Sequence, residues 1–205
     1  MPVRKYKLGK PLLSYQKGSH IMAEGPLSER DITLLQEFRT EPVLTLTRVS
    51  SLDFIAGWTD LRSLRMYACK VEDWSPLTTL KKLEDLFING IRERTPDLSF
   101  LSQMRTLKDL GVGHVPHWTT FPDMSRCTRL KRLNIFGCKR LTDLSAVVRI
   151  KKLESFDIVL TPQKPADLEA IMAMPTMKCM AAAFGRAKED ALFAALLTKY
   201  GLFYG

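Results

Sequence analysis

The feature that most constrains this chain is that it repeats itself. An apolar residue opens a related stretch at Leu61, Leu83, Leu107, Leu130, Leu153 and, more weakly, Met177, at steps of 22, 24, 23, 23 and 24 residues. Each is followed at +3 and +5 by an apolar pair: Leu64/Met66, Leu86/Ile88, Leu110/Val112, Leu133/Ile135, Phe156/Ile158 and Met180/Ala182, with Leu44/Leu46 lying 20 residues before the first. Two apolar residues separated by one point to the same face of a short strand. The stretch between strands runs at period 3, as in Trp74, Leu77, Leu80, Leu83 and Leu86, which suits a 3₁₀ or turn-like return better than a full α-helix. A single strand, turn and return cannot bury its apolar face, so the units must stack on one another, with their strands side by side in a parallel sheet.

This pattern resembles the leucine-rich repeat family. The template L-x-x-L-x-L-x-x-N/C-x-L is met by LRSLRMYACKV from Leu61 to Val71 and by LKRLNIFGCKRL from Leu130, with Cys69 and Cys138 at the Asn/Cys position. The stretch SPLTTLKKLEDLFINGI is similar to the 22-residue class shared by internalins and a phosphatase-regulating repeat protein. Ile91, Val115 and Thr161 replace Asn or Cys in three copies, so a regular Asn ladder is absent. The resemblance implies an α/β leucine-rich-repeat solenoid: a curved arc with a parallel β-sheet on the concave face, 3₁₀ turns or short helices on the convex side, and helical caps. The expected organisation is a basic tail over 1–27, an N-terminal helical cap over 28–41, repeats over 42–184 and a C-terminal helical cap over 185–205.

The caps follow from residue patterns. Ser28 with Asp31 three residues on is a loose capping box, and Ile32, Leu35 and Phe38 then share a helical face. Residues 186–200 place Leu192, Phe193, Leu196, Leu197 and Tyr200 on one stripe ending at Gly201, and 162–175 reads as a short helix with Leu168, Ile171 and Met174 inward. The charge divides unevenly. Arg4, Lys5, Lys7, Lys10 and Lys17 give +5 within residues 1–23, leaving 26 basic and 22 acidic groups, or +4, on the other 182. No apolar run approaches the roughly 20 residues of a membrane span, and the N-terminal stretch lacks the apolar core of a secretory signal. With four cysteines at no regular pairing spacing, the expected location is a reducing, cytoplasmic one, and no membrane partner is expected.

Chemistry-bearing motifs are sparse. No Cys-x-x-Cys occurs. His114 and His117 flank Pro116 in a strand-exit turn without a supporting carboxylate pattern, so no metal site is expected. Gly111 and Gly113 belong to no complete phosphate-binding glycine motif, and they are expected to leave a shallow gap in the inner face. No nucleophile or paired-acid signature appears, so the chain reads as a non-enzyme with no cofactor and no catalytic residue.

Strand alternation puts three columns of side chains on the concave face. They read Val43, Ser63, Asp85, Asp109, Arg132, Ser155, Cys179; then Thr45, Arg65, Phe87, Gly111, Asn134, Asp157, Ala181; then Thr47, Tyr67, Asn89, Gly113, Phe136, Val159, Ala183. Arg65, Tyr67, Asp85, Phe87, Asn89, Asp109, Arg132, Asn134, Phe136 and Asp157 are therefore the candidate partner-binding residues, because aromatics and arginine ringed by polar groups make protein-binding hot spots. A terminal helix or loop folded over this face would instead bury those aromatics internally. The expected function is a bacterial-style cytosolic binding protein, an immunity protein that neutralises a toxin or effector domain bearing an acidic surface. One alternative is an adaptor or regulatory subunit of a host enzyme. Another is a nucleic-acid binder using the basic tail and a ridge of Lys81–Lys82, Arg129–Lys131 and Lys151–Lys152.

Overall fold

A computed structural model describes residues 20–91 and 97–205 in full, together with the backbone of two strands, Arg4–Lys7 and Leu12–Gln16. Its strands are β1 (Arg4–Lys7), β2 (Leu12–Gln16), β3 (His20–Glu24), β4 (Val43–Thr47), β5 (Ser63–Tyr67), β6 (Asp85–Asn89), β7 (Asp109–Gly113), β8 (Arg132–Phe136), β9 (Ser155–Val159), β10 (Cys179–Ala183) and β11 (Phe203–Tyr204). They form one sheet in sequence order. From β3 to β11 every neighbouring pair is parallel, while β1–β2 and β2–β3 are antiparallel. This is the leucine-rich-repeat solenoid.

The register follows the leucine spacing. Leu44, Leu64, Leu86, Leu110, Leu133, Phe156 and Met180 stand side by side across seven strands. Leu46, Met66, Ile88, Val112, Ile135, Ile158 and Ala182 make a second row, and both rows are buried. The period-3 segments return on the far side as 3₁₀ turns at Asp53–Gly57, Ser75–Thr79, Ser99–Gln103, Val147–Arg149 and Pro165–Leu168. Trp74, Leu77, Leu80 and Leu83 are all buried, since side chains three apart eclipse in a 3₁₀ geometry and line one face. Three of these returns, and the return between β7 and β8, open with the same Asp-x-Ser turn. The carboxylates of Asp73, Asp97, Asp123 and Asp143 accept the backbone N–H of Ser75, Ser99, Ser125 and Ser145 at 2.8 to 2.9 Å.

The ends differ from the sequence expectation. Residues 1–27, expected as a tail, contain three strands, and β3 pairs in parallel with β4 like any other repeat. Its inward residues are Ile21 and Ala23, both buried, and the alanine disguises the Leu-x-Leu signature. Helix α1 (Glu29–Gln36) therefore lies between two strands of the solenoid, on the convex side, where the Gln36 amide donates to the Phe54 carbonyl at 2.7 Å. Its start is the expected capping box: Ser28 accepts from the Asp31 N–H at 3.3 Å, and the Asp31 carboxylate accepts the Ser28 N–H at 2.8 Å.

At the other end the segment 162–175 is a 3₁₀ turn running into α2 (Glu169–Met172), with Leu168 and Ile171 buried and Met174 packed against the core. Helix α3 (Ala187–Tyr200) buries Phe193, Leu196 and Leu197. Leu192 is 47% exposed, contrary to expectation, because it lies about 100° around the helix from that stripe. Gly201 closes α3 in the left-handed conformation, φ 65°, which lets the Leu202 N–H reach back to the Leu197 carbonyl. The chain then adds β11 beside β10, a strand that the sequence reading did not foresee.

Candidate functional site: the concave face

The register places the three concave columns as the alternation predicts, so all ten candidate residues share one face. The aromatic ones are in contact. Tyr67 and Phe87 have ring centroids 5.6 Å apart, and Phe87 stacks on Phe136 at 5.9 Å with the planes 22° apart. These two phenylalanines sit on β6 and β8 and meet over β7 between them. They can do so because β7 presents Gly111 and Gly113: a Cβ on Gly111 would overlap the Phe87 ring, and one on Gly113 would overlap the Phe136 ring. The gap expected at the two glycines is therefore filled, and both glycines are buried. Strand β7 acts as a flat bed on which the rings of its neighbours lie.

His114, just past β7, completes the cluster. Its ring meets Phe136 edge-on at 5.1 Å, and its Nδ1 is 2.9 Å from the Asn89 Oδ1. That contact fixes both side chains at the rim of the aromatic strip. Sequence reasoning weighed His114 only as a metal ligand and missed this role, which follows from its place one residue beyond a concave column. Among the described residues no group of three His, Cys, Asp or Glu side chains is arranged to hold a metal ion.

Of the charged members, Asp85, Asp109 and Arg132 occupy the strand-entry column, and Arg65 and Asp157 the central one. Arg132 pairs with Asp109. The Ser63 hydroxyl donates to Asp85 at 2.9 Å. Arg65 makes no ion pair among the described residues, and with burial it helps hold the His20 imidazole below its ordinary pKa, burial being the larger cause. His20 in turn lies 2.9 Å from the Thr45 hydroxyl. Asp157 is half-buried, and desolvation pushes its carboxyl above the usual range, one oxygen having no partner among the described residues. Asn134 is exposed between Gly111 and Asp157. From β3 to β10 the face bears four acids (Glu24, Asp85, Asp109, Asp157) against two arginines (Arg65, Arg132). The net positive charge of the chain is thus not on this surface, and the expectation that the face would suit an acidic partner loses its basis.

Nothing among the described residues folds across the face. Tyr67, Phe87 and Phe136 are half-buried by one another and by the backbone, while α1 packs against the first 3₁₀ turn and α3 against the last turn, α2, β10 and β11. Exposed apolar side chains stand at its margins: Met22 on β3, Leu160 just after β9 and Phe203 on β11.

The expected basic ridge is interrupted. Glu84 accepts Lys108 at 2.8 Å and Arg129 at 3.4 Å, with Arg62 at 3.8 Å. Glu154 bridges Lys131 at 2.8 Å and Lys178 at 2.7 Å, and these two lysines draw its carboxyl down to about 2. Lys82 is paired with Asp60. Three cysteines are structural. Cys69 and Cys138 point their thiols at the carbonyls of Tyr67 and Phe136, at 3.4 and 3.5 Å, and Cys127 at that of Leu101, where burial pushes its thiol up to about 11.

Comparison with solved structures agrees with this architecture. An internalin from Listeria monocytogenes matches at 20% identity and a TM-score of 0.51, covering 78% of this chain and 54% of its own. A leucine-rich-repeat protein from Leptospira interrogans matches at 15% identity and a TM-score of 0.57, covering 83% of this chain and 44% of its own. The chain spans about half the length of these two structures. No protein-family model matches the sequence, and no curated protein does.

Proposed function

We propose that this leucine-rich-repeat arc is a protein-binding module that grips its partner with the concave face. The observation that carries the reading is the ladder Tyr67–Phe87–Phe136 with His114, held rigid over a glycine strand and left uncovered by the described residues. Rigid aromatics bring large contact area at small cost in side-chain entropy, and the flanking Asp85, Asn89, Arg65 and Asn134 supply directional hydrogen bonds. The finer reading is a stoichiometric inhibitor, an immunity protein that covers the working surface of a toxin or effector domain in the cytoplasm, a compartment suited to a chain whose four cysteines lie at no regular pairing spacing.

The test is capture of partners by the tagged chain from its native cells at about 0.15 M and 0.5 M salt. One near-stoichiometric protein retained at both salts, and lost on changing Tyr67, Phe87 and Phe136 together to Ala, supports the reading. The triple change should weaken binding by more than about 100-fold, since each such anchor is worth about 2 kcal/mol. A partner that still binds the triple variant would move the interface elsewhere. Adding the chain to the purified partner then separates roles: activity abolished at equal molarity marks an inhibitor, and activity retained in the complex marks an adaptor.

A further inference from the structure

On the convex side, away from the concave face, the turns of three successive repeats leave a cleft of about 800 Å³. Three cations line it, Lys81, Arg105 and Arg126, and among the described residues no carboxylate does. The nearby acids are engaged elsewhere. Asp123 accepts the Ser125 N–H at 2.9 Å and Arg149 at 3.0 Å, Glu84 holds Lys108 and Arg129, and Asp60 holds Lys82. Arg105 and Arg126 form no ion pair among the described residues, and the Lys81 ammonium spends one of its three donors on the Thr78 carbonyl at 2.8 Å. Gln103 adds a side-chain amide with no hydrogen bond among the described residues, whereas the hydroxyls of Thr78 and Thr106 donate to the carbonyls of Ser75 and Leu83.

We infer that this cleft is a binding site for a compact oligophosphate, a ligand carrying two or three linked phosphates. Two guanidiniums without an ion pair among the described residues can each take a phosphate through paired N–H donors, and a lysine adds a compact third charge. Their total matches a polyanion of about three charges, and the volume lies within the range of small-molecule sites. The apolar floor is Leu80 and Met104, both 3% exposed, and among the described residues no aromatic ring lines the cleft. A stacking platform for bases is therefore missing, which favours a compact phosphate cluster over a single-stranded nucleic acid.

The experiment is a calorimetric titration of the full chain with inorganic tripolyphosphate, followed by competition with a fluorescent oligothymidylate. The expected result is saturable one-to-one binding, weakened about tenfold by Arg105→Gln and again by Arg126→Gln, and unchanged by Lys151→Gln with Lys152→Gln. These side chains are exposed, so unchanged thermal melts will show that the variants fold. Absence of saturable binding would overturn the inference. So would equal losses from the Lys151/Lys152 control, which would mean diffuse attraction, or oligothymidylate binding that tripolyphosphate does not displace.

Discussion

At the scale of single residues, Gly113 shows most clearly how a sequence choice shapes the candidate site. Phe136 can lie on β7 only because the position beside it has no side chain. Gly113→Ala should push the ring off its bed and cost about 1–3 kcal/mol, the usual penalty of inserting a methyl group into a packed site. A urea melt reads the stability, and partner capture should fall in parallel, because the ladder to Phe87 is broken at the same time. Stability lost with capture intact would mean that the rings serve packing alone. This contact was not legible in the sequence. The alternation places Phe87, Gly111, Gly113 and Phe136 on one face, yet which ring leans over which glycine depends on register and rotamer together. The glycines therefore suggested an opening where the folded chain has a filled surface.

At the scale of elements, the Asp-x-Ser turns are where charge and fold are most directly linked. Asp73, Asp97, Asp123 and Asp143 each have a carboxyl held below the usual range by hydrogen bonds from the serine two residues on, and Arg149 assists at Asp123. Glu154 is held down by Lys131 and Lys178. A carboxyl whose pKa is lower when folded binds protons more readily in the unfolded chain. Its stabilisation is complete above the unfolded pKa and is lost as pH falls through the folded one. The melting temperature should accordingly be flat near neutrality and decline from about pH 4.5 toward about pH 2, the interval marked by the ordinary and folded values of Glu154. Asp143→Asn should make that decline shallower, since the amide keeps an acceptor for the Ser145 N–H without titrating; an unchanged acid slope would remove these turns from the account. The strand rows and the period-3 returns were legible because apolar spacing alone sets them. The Asp-x-Ser motif was equally visible but carried no hydrophobic signal. The strand at Ile21–Ala23 was hidden because a buried alanine looks like a surface residue.

At the scale of the whole molecule, each repeat is supported chiefly by its neighbours, so the ends decide how the arc fails. Helix α3 covers the last turn with Phe193, Leu196 and Leu197, and Phe193 lies 5.5 Å from the Phe184 ring. Burying three such side chains contributes roughly 5 kcal/mol, a large part of the total stability of a domain this size. Deleting residues 186–205 should uncover α2 and β10, lower the urea midpoint, and release backbone amides to hydrogen exchange first in β9 and β10. The central strands β5 to β7 should keep their protection, since their own stacked rows are intact. Uniform loss of protection across all strands would mean that the arc unfolds as one cooperative block, and the nearest-neighbour account would fail. The same locality bears on function. The aromatic ladder spans β5 to β8, well inside the ends, so a chain frayed at its last repeat should still present Tyr67, Phe87 and Phe136 to a partner. Truncation should therefore separate stability from capture, whereas Gly113→Ala should lower both.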